Sequence, residues 1–275
     1  MDKIEGVTEI GNWSEIKLQI VKEYAAAFST VLTRQPYIKH DYIDAFAGAG
    51  VHISKSTKEF IPGSPLNALF VEPPFNELYL IDLDGKKTEI LRELTREYAN
   101  VHVYNGDANR ILLEDILPKV RYEDFRRALC LLDPFGLHLE WSVLETAAKM
   151  ESVEIFLNFP IMDMNRNSLL KNYELVDSRD NERMSLFWGD DSWKKAAYVE
   201  SAQATFWDNA PMEKQPNEQI AESFRDRLKS VAGFRFVPEP IPMRNSNGAI
   251  IYYLFFASQN ETGYKIAKHI LNKYR

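Results

Sequence analysis

Apolar positions change period several times along the chain, and each change marks an element. From residue 12 to 32, Trp13, Ile16, Ile20, Val21, Tyr24, Phe28 and Val31 recur at three- and four-residue steps. This spacing predicts a helix with one buried face, Asn12 as its N-cap and Glu15 at the capping-box position. "HDYIDAF" (40–46) reads as a buried strand, followed by a glycine turn and a polar loop over 51–63. In "GSPLNALFV" Ser64 stands where a cap belongs, and Pro65 suits a first helical position because its missing N–H has no partner to lose.

The alternation then repeats. "NELYLIDLD" (76–84) is a strand; the next helix has Ile90, Leu91, Leu94 and Tyr98 on one side; "ANVHVYNGD" (99–107) is a third strand. "ANRILLEDILPKV" supplies another helix, "RALCLLDPFG" (127–136) a strand too apolar for a wet face, "LEWSVLETAAKM" a helix and "VEIFLNFP" (153–160) a fifth strand. Strands buried on both faces and separated by helices predict a parallel sheet with right-handed crossovers. From 164 to 231 the periodicity is helical, with Phe187, Trp188, Trp193, Tyr198, Phe206 and Trp207 interspersed and no clear strand. The chain closes with "FRFVPEPIPMR", the turn "NSNG", the strand "AIIYYLFFAS" and a final helix over 262–274. Asn247–Gly248 between two extended runs is a hairpin signal. The expectation is one α/β domain over 1–275, with a helical insertion at 164–231 that either acts as a lid or binds a partner.

Composition narrows the class. With 45% apolar and 27% charged residues the chain can bury a substantial core. No apolar run approaches the roughly 20 residues a membrane span requires, and the N-terminus lacks a signal-peptide h-region, so a cytoplasmic location is expected. A net charge of −7 argues against gripping bare nucleic acid by counterion release alone. Cys130, the one cysteine, sits inside "ALCLL" and reads as a buried small hydrophobe.

Candidate chemistry gathers at the predicted strand ends, where open parallel sheets bind ligands. "DYIDAFAGAG" (41–50) puts Asp44, Gly48 and Gly50 at the end of the first strand, and glycines there admit close backbone approach. The third glycine of a dinucleotide fingerprint is missing, since Ile53 stands at its position, which disfavours a seated pyrophosphate. Asp82, with Asp84 beside it, ends the second strand and suits ribose hydroxyls. It lies further from the glycines than the usual roughly 20 residues, and the excess is the loop 51–63, a candidate lid. Asp107 follows the third strand, positioned either for an adenine amino group, with Ala108 leaving room for the ring, or as an N-cap. Asp133 ends the fourth strand. Carboxylates at successive strand ends point to an adenosyl cofactor without a pyrophosphate.

Other residues carry weaker signals. His52 and His138 are candidate bases. Asn158 can orient substrate or make a strand-end turn, and Lys17 either reaches the cleft or is solvated. Arg126, Arg127, Arg166, Arg179 and Arg183 are candidate phosphate contacts, interleaved with acids as a solvated helix face would be.

The segments "NWSEIKLQIVKEY", "YIDAFAGAG", "PGSPLNAL", "IDLD", "LLDPFG", "LNFP" and "YYLFFAS" together resemble the three-Cys-motif partner protein family (TcmP), a branch of the methyltransferase-like Rossmann proteins. The resemblance implies the class I S-adenosylmethionine-dependent methyltransferase sheet, five parallel strands ending in an antiparallel hairpin. It also implies a separate three-Cys-motif protein as partner. "DAFAGAG" and "DPFG" further resemble the D-x-F-x-G-x-G and D-P-P-Y blocks of amino-methyltransferases acting on adenine. On that resemblance Asp44, Phe46, Gly48, Gly50, Asp82, Asp84, Asp107, Ala108 and Asp133 bind S-adenosylmethionine. Asp133 accepts a hydrogen bond from the target amine and Phe135 stacks on an extruded base. The block departs from its pattern at Phe135 and Gly136, so Phe135 has a second reading, packing under the cofactor. The function so implied is methyl transfer to nitrogen on a nucleic acid or another amine. The alternative is a catalytically silent or partner-dependent scaffold of the same fold. A nicotinamide-dependent oxidoreductase is disfavoured by the missing glycine and the terminal hairpin.

Overall fold

The computed structural model describes residues 7–170, 176–200 and 212–275. Phe206 and Trp207 of the expected insertion lie outside the described residues. Strand β1 (Thr8–Ile10) leads into helix α1 (Asn12–Thr33), followed by β2 (Lys39–Asp44), β3 (Val51–Ser54), β4 (Phe60–Pro62), α2 (Ser64–Leu69), β5 (Leu78–Asp82), α3 (Gly85–Thr95) and β6 (Val101–Asn105). Then come α4 (Ala108–Ile111), β7 (Arg126–Leu132), α5 (Trp141–Met150), β8 (Val153–Phe159), α6 (Ile161–Asn167), α7 (Ser178–Trp188), α8 (Trp193–Ala197), β9 (Tyr198–Glu200) and β10 (Met212–Lys214). Helix α9 (Asn217–Arg227), β11 (Ile241–Arg244), β12 (Ile250–Ala257) and α10 (Glu261–Lys273) complete the chain.

Seven strands form the central sheet in the order β11-β12-β8-β7-β2-β5-β6. Neighbours from β8 to β6 are parallel, while β12 runs antiparallel to both β8 and β11. This is the Rossmann-like arrangement the sequence predicts, with the last strand of the hairpin inserted between β8 and β11. The order reverses at β2, whose neighbours are β5 and β7, and a crevice therefore opens beyond the carboxyl ends of these strands. One face of the sheet packs against α1, α2 and α10 through residues such as Tyr24, Leu80, Leu129 and Phe256; the other packs against α5, α7 and α9 through Ile43, Ile155, Phe159 and Phe224. Cys130 is buried in this second core, and burial raises its thiol pKa, as suits a small hydrophobe. No helix among the described residues is long and apolar enough to cross a membrane.

Several local expectations need correction. The N-cap of α1 is Gly11, one residue before Asn12, and Glu15 accepts from the Ser54 hydroxyl (2.7 Å). Gly63 caps α2, which leaves Ser64 inside the first turn. The segment 51–63 is an antiparallel hairpin, β3 and β4, on which β1 adds as a parallel third strand. Its polar sequence hides this because the ribbon lies over the strand ends and buries little apolar surface. The insertion carries two antiparallel strands, β9 and β10, paired from Tyr198↔Lys214 to Glu200↔Met212, where only helix is expected. At three residues each they are too short to set up a period of two. Helix α4 continues as a π-helical turn, Leu112–Ile116, and a short 3₁₀ turn to Lys119.

Candidate functional site

Two adjoining hollows open at the carboxyl ends of the parallel strands. The first, of about 500 Å³, is lined by Phe46 and Gly48 after β2, Asp82 at the end of β5 with Leu83 and Asp84 beyond it, Asp107 and Ala108 after β6, and Asp133 and Phe135 after β7. The second, of about 430 Å³, is lined by Trp13 and Lys17 of α1, Asn158 near the end of β8 and Tyr252 of β12, and again by Asp133 and Phe135. Thr8 of β1 also fronts on both. Asp133 and Phe135 thus stand in the wall between two cavities.

The carboxylates of the first hollow also hold its rim together. Asp82 accepts from the Gly48 N–H with one oxygen (2.8 Å) and from the Asp84 N–H with the other (2.9 Å), tying the β2 and β5 loops together. Each oxygen retains a second lone pair for a ligand. Asp84 caps α3 through the Lys86 N–H (2.9 Å), and Asp107 caps α4 through the Arg110 N–H (2.9 Å). The cap role and the hollow-lining position therefore hold at once for Asp107. Gly48 has φ +65° and open space where a Cβ would stand, so the loop presents bare backbone to the hollow. Four carboxylates, those of Asp82, Asp84, Asp107 and Asp133, face one ammonium, that of Lys87, among the described lining residues. That set of acceptors suits hydroxyl and amino groups or a cation, and it repels a pyrophosphate.

Two residues of the expected set do not face the hollow. Gly50 packs inward, where a Cβ would lie 2.8 Å from the Leu91 side chain, and its carbonyl accepts from the Gly63 N–H (2.7 Å). It is a packing glycine at the hairpin base, not a ligand contact. Asp44 is fully buried beneath the first loop, near Tyr42 and the Phe46 N–H. Burial pushes its pKa up to about 7, the Ser64 hydroxyl pulls it down, and the Asp133 charge adds to the rise. Asp44 supports the floor of the loop.

The polar centre of the second hollow is an ion pair between Lys17 and Asp133. Lys17 is only 7% exposed, although it lies off the main apolar stripe of α1. The other Asp133 oxygen accepts from Asn158 Nδ2 (2.7 Å). The Lys17 ammonium also lies 5.7 Å from the centre of the Tyr252 ring. Burial and the Asp133 charge raise the Tyr252 phenol pKa well above its ordinary value. Phe135 is 87% exposed and fronts on both hollows, so its ring is a bare platform open to either a cofactor or an acceptor. Gly136, at φ +60°, turns the chain just after it.

His52 and His138 both line the first hollow. Burial, reinforced by the Lys17 charge, lowers the His52 pKa, so its imidazole is neutral near pH 7. Arg183 of α7 contacts His138 Nε2 (3.1 Å), joining the insertion to the rim. Arg126 and Arg127 lie at the opposite end of the sheet, one paired with Asp41 and the other stacked on Tyr122. Neither faces the hollows. Thr8, Leu83, Lys87, Gly106 and Tyr252 also line the hollows, none of them among the candidate residues above. Of these, Leu83 had a visible signal, a large apolar residue between two acids in "IDLD"; it is 75% exposed at the mouth.

No family model matches the chain, and no curated protein matches it. The resemblance to the three-Cys-motif partner family therefore rests on the sequence segments alone. Solved structures of similar outline include a Legionella pneumophila protein of the DUF519 family, 13% identical, covering 94% of this chain and 92% of its own, with a TM-score of 0.49. An S-adenosylmethionine-dependent methyltransferase from Clostridium acetobutylicum is 10% identical, covering 86% of this chain and 91% of its own, with a TM-score of 0.39. At these values no residue role passes from either protein to this one.

Proposed function

We propose that the chain is an S-adenosylmethionine-dependent methyltransferase acting on a nitrogen nucleophile. The observation that carries this reading is the shared wall: one carboxylate and one exposed ring stand between an acid-rimmed hollow and a second hollow. When bound in the first hollow, S-adenosylmethionine supplies an electrophilic methyl group on a cationic sulfonium. The rim then has defined tasks. The remaining lone pairs of Asp82 accept ribose hydroxyls, the free oxygen of Asp107 accepts an adenine amino hydrogen, and Leu83 and Ala108 flank the ring.

Methyl transfer is an in-line displacement, so the residues of the second hollow chiefly align the nucleophile. Lys17 and Asn158 hold the Asp133 carboxylate from two sides. Asp133 accepts an N–H of the acceptor, which turns the nitrogen lone pair toward the first hollow. Phe135 stacks on a planar acceptor. The insertion is the surface through which a three-Cys-motif partner would act, because Arg183 of α7 already touches His138 at the rim. Calorimetric titration with S-adenosylhomocysteine is expected to give micromolar binding, weakened by at least about 100-fold in Asp82→Ala, since lost hydrogen bonds to buried polar groups are costly. Absence of binding by the wild type overturns the proposal.

A further inference from the structure

A third hollow, of about 850 Å³, opens in the insertion between α6, β10 and the start of α9, and is lined by Asn165, Leu170, Met212, Lys214, Gln215 and Asn217. Lys214 is partly buried there, and among the described residues no carboxylate pairs with its ammonium. Its partner is an amide: Nζ donates to Asn165 Oδ1, and Asn165 Nδ2 donates in turn to Asn217 Oδ1 (3.1 Å). An ammonium only donates, so it sets the direction of the whole chain, and each amide turns its oxygen toward Lys214. The chain therefore ends on donors. Lys214 keeps two N–H groups and Asn217 keeps both hydrogens of its Nδ2, with no acceptor for either among the described residues.

A partly buried cation without a counter-ion has lost hydration and gained no charge in its place. Burial accordingly lowers the Lys214 pKa, and no neighbouring charge acts against that. Glu213, the acid on the lining, precedes Lys214 in β10, and successive side chains of a strand point to opposite faces. What these donors lack is a group that only accepts, a phosphate or a carboxylate.

Helix α6 gives that group a place relative to the chemistry. Met162 lines the second hollow and Asn165 the third; three residues apart on one helix, they share a face and lie one turn, roughly 5 Å, from each other along the axis. We infer that the third hollow is an anion subsite, which takes a phosphate or carboxylate carried by the molecule whose reacting end enters the second hollow. Leu170 and Met212 leave an apolar side for the body of that molecule. Against a net charge of −7, this local cation is what admits an anionic acceptor. The place of the reacting end rests on the function proposed above; the preference for an anion does not.

The test is ligand-observed NMR on the full chain, without S-adenosylhomocysteine and at low ionic strength in phosphate-free buffer, where screening is weak. The probes are phenyl phosphate, benzoate and the uncharged benzamide. At least one anion is expected to bind about tenfold or more tighter than benzamide, in line with hydrogen bonds to a charged group. Lys214→Met, which keeps the stem and removes the charge, should bring that ratio near one, and Asn217→Ala should lower it about threefold. Lys195→Met, on α8 and outside the hollow, should leave it unchanged. With the methionine methyl groups labelled with carbon-13, the bound anion should shift the Met162 signal as well as that of Met212. The tighter of the two anions tells a phosphate-bearing acceptor from a carboxylate-bearing one. Equal binding of anions and benzamide, a ratio unchanged in folded Lys214→Met, or an unmoved Met162 signal overturns the inference. Failure of S-adenosylhomocysteine to bind, with the anion preference intact, removes the methyl-donor reading and leaves the anion subsite standing.

Discussion

At the amino ends of the parallel strands, Asp41 is held by both arms of Arg126 (2.9 and 2.7 Å), and Glu154 is hydrogen-bonded by the hydroxyls of Tyr24 and Ser258. At the carboxyl ends, Asp82, Asp107 and Asp133 use part of their hydrogen-bonding capacity on the protein and turn the rest toward open hollows. The same side-chain chemistry thus closes one end of the sheet and leaves the other unfinished. The difference lies in the partners: a guanidinium and hydroxyls that meet each carboxylate from within the core, against backbone N–H groups of short loops for Asp82 and Asp107 and one ammonium with one amide for Asp133. Buried acids alone do not mark a ligand site. An acid with spare lone pairs on a cavity does.

The comparison breaks most visibly at the closed end. Arg126→Met strands the Asp41 carboxylate, and should cost about 3–5 kcal/mol in denaturant unfolding at pH 8 while leaving S-adenosylhomocysteine binding intact. The loss should shrink at pH 5. Burial raises the Asp41 pKa to about 6 even beside Arg126, so at pH 5 the stranded group takes up a proton and sheds its charge. The same sign holds for the wild type. Asp41, Asp44 and Glu154 have folded pKa values raised to about 6, 7 and 7, so the folded state binds more protons than the unfolded one and stability falls as pH rises from about 4 through 7. A stability that instead rises across that window would show these acids to be charged in the fold.

At the open end the expected losses are in chemistry. Asp133→Asn should lower kcat by at least about 100-fold, in line with the usual contribution of a positioned proton acceptor, and should also cost stability because it strands the 7% exposed Lys17 ammonium. An unchanged kcat in the folded variant would place Asp133 with the structural acids. The smallest effect belongs to Phe135. An 87% exposed ring contributes little packing, so Phe135→Ser should change stability by no more than about 0.5 kcal/mol and raise the acceptor KM more than it weakens cofactor binding.

Much of the sheet was legible because its strands are buried on both faces and its helices carry one apolar stripe. "RALCLL" and "VEIFLNF" have no second reading once helices flank them. The hairpin 51–63 was not legible, since its residues are polar and its partner β1 lies some 40 positions earlier, with Thr8 paired to His52. In the site, the acids were visible as strand-end residues, whereas the facing direction of each was not. Gly48 and Gly50 look alike in "GAG"; whether a glycine meets a ligand or the Leu91 side chain depends on a helix that arrives 35 and more residues later. The two readings of Lys17, solvated or reaching the cleft, stay open in the sequence for a similar reason: its partner, Asp133, is 116 residues away.

The position of β12 bears on how far the two hollows depend on one another. Although it follows β11 in the sequence, β12 lies between β8 and β11, and it carries Tyr252 into the second hollow. The first hollow is walled by residues between Thr8 and His138, whereas the second also takes Ile251 and Tyr252 as one of its sides. A chain cut before β12 would therefore keep the residues of the first hollow and leave the second without a wall.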